Sequence, residues 1–200
     1  MAGYKALAAA GRSIVGLLNL RFAEIVPAGD PKPTAVLAGT IDFDQVNSSP
    51  TAVIRYPAVS LYCYRVCVDR ETRPGWSAVA SVDGIPRMPL RMHFLLAAWD
   101  TVVESELEWL GLAVDVLETE PILTGPLLDT SGDWEPGDAV HVVADDLALD
   151  SMSEAFQALT TQYRLSLPYV ARVIRIQGRQ LPTVEGTATM ATVLVNGVTP

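Results

Sequence analysis

The sequence contains little of the chemistry that metal and redox sites need, with only two cysteines and two histidines in 200 residues. Cys63 and Cys67 lie four residues apart in a strand-like run, which predicts that they share one face of a strand about 13 Å apart. That separation is too long for a disulfide, so a reducing, cytoplasmic origin is favoured. His141 has acidic neighbours that include Asp145, but acidic loops beside one histidine commonly hold no metal. The sequence therefore predicts neither a metal nor another cofactor.

Catalytic motifs are absent as well. The chain has no GxGxxG or GxxxxGK[ST] phosphate-binding loop, no GxSxG nucleophile elbow and no HExxH zinc motif. Glu104 and Glu108 are neighbours at i,i+4, yet they lie off the apolar stripe of their predicted helix. We interpret them as part of a solvated or intersubunit face rather than as an acid–base pair. No catalytic residue is predicted, and an enzyme with an unrecognised site in the long segment 70–88 stays open as an alternative.

Long hydrophobic runs are also missing. No stretch of eighteen uncharged apolar residues exists, so no membrane span is predicted. The apolar stretch 6–10 is interrupted by Gly11 and Arg12, which favours a helix of the mature protein over a signal peptide. Half of all residues are nevertheless apolar, and the mean hydropathy is +0.27. This excess suggests surface that is buried against other subunits.

Positive charge is missing from the middle of the chain. Residues 96–163 contain no Lys or Arg and fifteen Asp or Glu, whereas residues 1–95 contain ten basic and seven acidic residues. Residues 164–200 contain four Arg and one Glu. The default interpretation is a solvated acidic face. The blocks also suit subunits that meet acid to base in a ring or stack, and they argue against nucleic acid as a partner.

The four C-terminal arginines fall within sixteen residues, a density that suits anion binding. Because no anion-binding motif accompanies them, we predict that they pair with the acidic block of another subunit. The basic candidates for this contact are Arg164, Arg172, Arg175 and Arg179, and the acidic candidates are Glu104 and Glu108.

The centre of the chain predicts a strand that runs directly into its longest amphipathic helix. Leu90, Met92, Phe94 and Leu96 alternate with Arg91, His93 and Leu95, as in a strand with one apolar face. The helix is predicted to begin at Thr101, with Glu104 completing a capping box, and to end at Pro121. Its predicted apolar stripe consists of Val103, Leu107, Leu110, Val114 and Leu117.

The rest of the pattern predicts one α+β domain over residues 1–176, in which a mixed β-sheet is packed by two or three helices. Two more helices are expected, one over residues 3–20 and one that is capped by Asp150 or Ser151 and ends at residue 160. Strands are expected over 35–43, 58–69, 141–143 and 163–176. Residues 177–200 are predicted to form a C-terminal extension with a β-prone stretch, 187–195. This stretch either folds back onto its own sheet or adds a strand to a partner's sheet edge through Thr192, Val193, Leu194 and Val195.

Five blocks in a fixed order carry a resemblance to a known family. They are SLYCYRV (60–66), PLRMHFLLAAW (89–99), EPIL (120–123), WEPGD (134–138) and YRLSLPYVARVIRI (163–176). Together with the Ala-rich N-terminal helix, they resemble the cap proteins of extracellular contractile injection systems, the phage-tail-like particles of the Photorhabdus virulence cassette and antifeeding prophage type. The resemblance covers about residues 3–176.

The resemblance implies a structural protein of the phage tail-terminator type without catalysis. Such a subunit is expected to form a six-fold homo-oligomeric ring at the distal end of the tube and sheath, and to end their polymerisation. The implied partners are sheath and inner-tube proteins, with the extension completing the last sheath ring by strand exchange. The implied location is the bacterial cytoplasm during assembly and then the injection particle. A baseplate or sheath-adaptor protein of the same particle is the alternative.

Overall fold

The computed structural model describes residues 3–71, 87–147 and 164–177. The elements in chain order are α1 (Ala6–Ile25), β1 (Thr34–Ala38), α2 (Thr40–Asp44), β2 (Ala58–Val68), β3 (Arg87–Trp99), α3 (Val103–Thr119), β4 (Ile122–Thr124), two single-turn 3-10 helices (Gly125–Leu127 and Thr130–Gly132), β5 (Ala139–Ala144) and β6 (Ser166–Gln177). The helix expected to residue 160, Arg179 and the four predicted contact residues 192–195 lie outside the described residues.

Six strands form one mixed sheet in the order β1-β2-β3-β6-β5-β4. β1 runs parallel to β2, and all other neighbouring strands are antiparallel. The long strands β2 and β3 pair along their whole length, from Ala58 opposite Trp99 to Val68 opposite Leu90. The predicted α+β class, a mixed sheet with a few helices, is confirmed.

The main core lies between one face of the sheet and the two long helices, α1 and α3. α1 contributes Ile14, Leu18 and Phe22, β3 contributes Phe94, and α3 contributes Leu117, each at most 1% exposed. These side chains recur on one stripe of each helix and at alternate positions of the strand, so burial follows from the 3.6-residue and two-residue periods. We refer to this face as the helix face of the sheet.

Helix α1 is long and apolar enough to cross a membrane when judged by length and composition alone. Half of the relevant window is buried inside the fold. The side-chain amide of Asn19 holds α1 against β1, since it accepts from the backbone N–H of Ala35 at 2.8 Å and donates to the Ala35 carbonyl at 2.9 Å. These contacts and this burial are those of a core helix.

Among the described residues, the opposite face of the sheet is covered at one end. There α2 and the loop that follows it pack Phe43 and Ile54 onto Leu95 and Trp99. The Phe43 ring meets the Trp99 ring at a centroid distance of 5.6 Å. Trp99 also donates its indole N–H to the buried hydroxyl of Ser60 at 2.7 Å, so its polar atom is satisfied. We refer to this second side as the open face.

The strand predicted over 35–43 is wrong in its second half, because β1 ends at Ala38 and the chain turns into α2. The carboxylate of Asp42 accepts a hydrogen bond from the Gly39 backbone N–H at 2.7 Å, and Asp42 N–H donates to the Gly39 carbonyl at 3.2 Å. These hydrogen bonds satisfy backbone groups at the start of α2. The helix then places Phe43 in the hydrophobic cluster with Ile54, Leu95 and Trp99.

The predicted start and stripe of the long helix are also corrected. α3 begins at Val103 without a side-chain cap, because Thr101 donates to Asp100 and does not cap the helix. Val103 and Leu107 of the predicted stripe are 67% and 51% exposed. The buried positions are Leu110, Ala113, Val116 and Leu117, and no residue of 103–109 is buried. The predicted stripe is therefore a surface row in the first two turns of α3, where Trp109 packs against the main core.

A β-bulge changes the predicted relationship between the two cysteines. The β2–β3 register shifts between Cys63, opposite Phe94, and Arg65, opposite His93. Cys63 consequently packs on the helix face, whereas Cys67 contacts His93 on the open face. The expectation that both thiols share one face is wrong, and both are free cysteines.

Candidate assembly surface

The first two turns of α3 present an unusual combination of apolar and acidic side chains to solvent. Val103 and Leu107 stack one turn apart, and the exposed Glu104 and Glu108 form the adjacent row. These four residues are called the α3 patch below. Neighbouring Val102 is 49% exposed, so the apolar surface continues into the strand-to-helix turn. An apolar strip bordered by charge of one sign is typical of a protein–protein contact surface.

The α3 patch sits on a rigid turn. The Asp100 carboxylate accepts from the Trp109 indole N–H at 2.8 Å and from the Thr101 backbone N–H at 2.6 Å. These hydrogen bonds, that of Trp109 first, lower the pKa of Asp100 below its usual value. Glu106 accepts from the Asp100 backbone N–H at 3.2 Å. The start of the helix is thereby fixed to the end of β3 by its own side chains.

Arg164 joins the start of β6 to this same turn. Its guanidinium pairs with the carboxylate of Glu106 and lies over the Trp99 ring at 4.1 Å from the ring centroid. Leu165 and Leu167, which follow it, are 51% and 39% exposed. Arg164 thus meets the acidic block within its own chain, and its contact with another subunit stays a prediction.

Arg172 lies in β6 directly opposite His141 of β5. It is half-buried, and its Nε is buried with no hydrogen-bond partner. Arg175 lies opposite Pro89 in the β3–β6 pair. The predicted pairing of these arginines with a second subunit stays a prediction.

The acidic neighbours of His141 do not gather around it as metal ligands. Asp145 instead accepts from Nδ1 of His93 at 2.9 Å. Within residues 3–71, 87–147 and 164–177, no group of three or more His, Cys, Asp or Glu side chains has the arrangement of a metal site.

Residues 9–189 match the sequence family described as the Pvc16 N-terminal domain. The chain belongs to this family. The match begins in α1 and extends beyond β6, so it includes the α3 patch and all four C-terminal arginines. Comparison with curated protein sequences gives no significant match.

The fold is similar to two solved structures. One is the sheath/tube terminator, in the extended state, of an extracellular contractile injection system (PVC), with TM-score 0.53 and 16% identity. The match covers 92% of this chain and 64% of that chain. The other is the tube-terminating cap of the anti-feeding prophage, with TM-score 0.48, 15% identity and coverage of 90% of this chain and 59% of that one. The chain thus spans about three-fifths of the length of each.

The family match over residues 9–189 confirms the resemblance at the level of family, and the sheath/tube terminator structure confirms it at the level of fold. For this Pvc16 N-terminal domain, the prediction that Glu104 and Glu108 lie on an outer face agrees with their exposure. The sequence pattern does not identify Val103 and Leu107 as surface residues, because their spacing also fits a core stripe. The signal that distinguishes them is the alternative stripe through Ala113 and Val116, which the structure buries.

Proposed function

We propose that this chain is a structural cap that forms a ring at the distal end of a contractile injection system and terminates tube and sheath polymerisation. The observation that carries the proposal is the family match over residues 9–189, together with a fold similar to a sheath/tube terminator over 92% of the chain. The partners would be inner-tube and sheath proteins. Assembly would take place in the bacterial cytoplasm, and the protein would remain part of the particle.

The ring would be a homohexamer in which the α3 patch contacts the next subunit. The patch supplies exposed apolar side chains, and burying the remaining exposed 67% of Val103 and 51% of Leu107 would contribute roughly 1–2 kcal/mol each. Its glutamates would face the arginines of the neighbouring β6, of which Arg172 is partly exposed. Acid-to-base contacts of this kind fix orientation and register between subunits.

The segment after β6 would supply the sheath contact. β6 ends at Gln177 in the middle of the sheet, between β3 and β5. The β-prone stretch that follows, with Thr192, Val193, Leu194 and Val195, would add a strand to the last sheath ring by backbone pairing. Removing residues 178–200 should leave the ring intact and abolish sheath attachment. Normal sheath attachment by the truncated chain would refute this part of the proposal.

The capping role is tested by assembling tube and sheath proteins with and without the purified chain. Lengths measured by electron microscopy should be bounded and uniform with the chain and unbounded without it. Gold-labelled chain should appear at the end opposite the baseplate. Label at the baseplate would favour the adaptor alternative, and unchanged length distributions would refute capping itself.

A further inference from the structure

Three side chains on the open face form a connected chain of hydrogen bonds. His93 Nδ1 lies 2.9 Å from Asp145 Oδ2, and His93 Nε2 lies 3.4 Å from the Sγ atom of Cys67. Because an ionised carboxylate only accepts, Nδ1 carries a proton and Nε2 is directed at the thiol. A nucleophile within reach of a base that a third group orients is the arrangement found in covalent catalysis.

The fold brings the three groups together from β2, β3 and the residue that follows β5. The bulge in β2 turns Cys67 toward the open face, where His93 projects from β3. Asp145 directly follows β5 and is fixed by its backbone N–H, which donates to the Pro168 carbonyl at 2.9 Å. The His93 and Asp145 side chains are 17% and 24% exposed, so the pair is shielded but reachable. The Tyr64 ring packs beside His93 with a centroid distance of 6.0 Å.

Cys67 opens into a cavity of about 560 Å³ that is rich in arginine. The other lining residues are Arg65, Val68, Arg70, Glu71 and Arg91. Arg91 pairs with Asp69 and Glu71, both at 2.7 Å, yet its Nε is buried without a hydrogen-bond partner. Among the described residues that line the cavity, three are arginines and one is a glutamate; even with Asp69, which pairs with Arg91, guanidinium groups outnumber carboxylates, which favours a ligand of negative charge.

We propose that Cys67 is a nucleophilic thiol that forms a mixed disulfide with small anionic disulfides bound in this cavity. His93 Nε2 accepts the thiol proton, and the Cys67 sulfur attacks one sulfur of the disulfide. The Cys67–sulfur bond forms as the disulfide S–S bond breaks. The departing thiolate leaves with that electron pair, and the proton passes from His93 to it or to water. Cys67 is oxidised and the departing half of the reagent is reduced. Asp145 is a positioning residue that holds His93.

The chain carries its own reference thiol. Cys63 lies on the helix face, packs against the main core, and contacts the Arg65 carbonyl at 3.7 Å. Burial raises the pKa of the Cys63 thiol, which opposes formation of its thiolate. It has no histidine partner among the described residues. The two cysteines therefore differ in the feature that the proposal invokes, and they can be compared within one protein.

The experiment uses 5,5′-dithiobis(2-nitrobenzoate), a disulfide with two carboxylates, and follows release of its coloured thiolate. In the unaltered chain, limited reaction followed by peptide mapping should find the label on Cys67. The variant Cys63→Ala, which keeps only Cys67, should react at least about tenfold faster than Cys67→Ala, which keeps only Cys63. Adding His93→Gln to Cys63→Ala should slow the reaction of Cys67 by about 10- to 100-fold, given the usual size of general-base effects. Equal labelling of both cysteines, or an unchanged rate in His93→Gln, would overturn the proposal.

Two further comparisons separate chemistry from folding. Asp145→Asn should slow the reaction, and Asp145→Glu should restore much of the rate, which a purely structural role would not predict. Each rate is divided by that of the same variant unfolded in guanidinium, where the environment of the thiol is lost.

The charge preference of the cavity is tested with the same normalised rates. The anionic reagent should react faster with Cys67 than cationic cystamine does, and Arg65→Gln should reduce that difference in rate. No preference between the two reagents would refute the anionic class of ligand.

Discussion

Arg21 of α1 forms a bidentate ion pair with Glu120, the residue that directly follows α3. Its Nε lies 2.5 Å from one carboxylate oxygen, and a terminal nitrogen lies 2.9 Å from the other. The two residues are 99 positions apart in sequence, so this contact ties together the two helices of the main core. The hydrogen bonds from Arg21 lower the pKa of Glu120 below its ordinary value of 4.5.

The ion pair predicts a specific pH dependence of stability. Because the folded-state pKa of Glu120 is depressed, its contribution is present above 4.5 and is lost as the pH falls through the folded value. Glu120→Gln should therefore lower the urea midpoint at about pH 7, and the gap to the unaltered protein should narrow as the pH falls below 4.5 and through the folded-state pKa. Glu24→Gln is the control, because Glu24 is 52% exposed and pairs with Arg21 within α1. A gap that persists in acid would contradict the assignment.

A second prediction concerns Gly132, in the short turn before the WEPGD block. A Cβ added there would lie 2.4 Å from the indole ring of Trp134, which donates to the Asp129 carbonyl at 2.8 Å. The ring must move and lose that hydrogen bond, so Gly132→Ala should cost about 1–3 kcal/mol of unfolding free energy. Urea titration followed by tryptophan fluorescence measures this cost.

Gly16 of α1 provides the matched control for that substitution. It is exposed, and an added Cβ would meet nothing within 4 Å. Gly16→Ala should stabilise the protein by about 0.5–1 kcal/mol, since alanine is the better helix former. If both alanine variants shift the midpoint in the same direction, the close approach of Gly132 to Trp134 does not control stability.

The long strands were predictable from sequence, whereas the faces of their residues were only partly so. Leu90, Met92, Phe94 and Leu96 recur at every second position of β3, and the structure buries them as this period requires. Cys67 could not be placed, because the bulge after Cys63 reverses the face of every later residue in β2 and has no glycine or proline to mark it. The contact of His93 with Asp145 depends on strand order, which one sequence does not specify.

The difference between the predicted and the observed buried face of α3 gives a third prediction. Leu117 is fully buried and Leu107 is 51% exposed, although both belong to the same sequence stripe. Leu117→Ala should cost about 2–5 kcal/mol through the lost contacts and the cavity left behind. Leu107→Ala should change the unfolding free energy by no more than about 0.5 kcal/mol, as expected for a surface position. Comparable losses in urea titrations of the two variants would show that Leu107 belongs to the core.

The ring contact is tested by reversing charge on the α3 patch. Glu108→Lys places a positive charge where the proposal expects arginines from the neighbouring subunit, so ring formation should weaken through repulsion. Asp115→Lys makes the same charge change on α3, at an exposed position outside the patch, and should leave assembly unchanged. Light scattering of the free protein and electron microscopy of capped tube ends measure the two variants side by side.

The partner side of this contact can be tested in the same assay. Combining Glu108→Lys with Arg172→Glu restores opposite charges across the interface, and assembly should recover if the two residues face each other. Recovery by the double variant, with loss in each single one, distinguishes a direct contact from a general effect of net charge. If Asp115→Lys disrupts rings as strongly as Glu108→Lys, or if the double variant shows no recovery, the subunits meet through another surface.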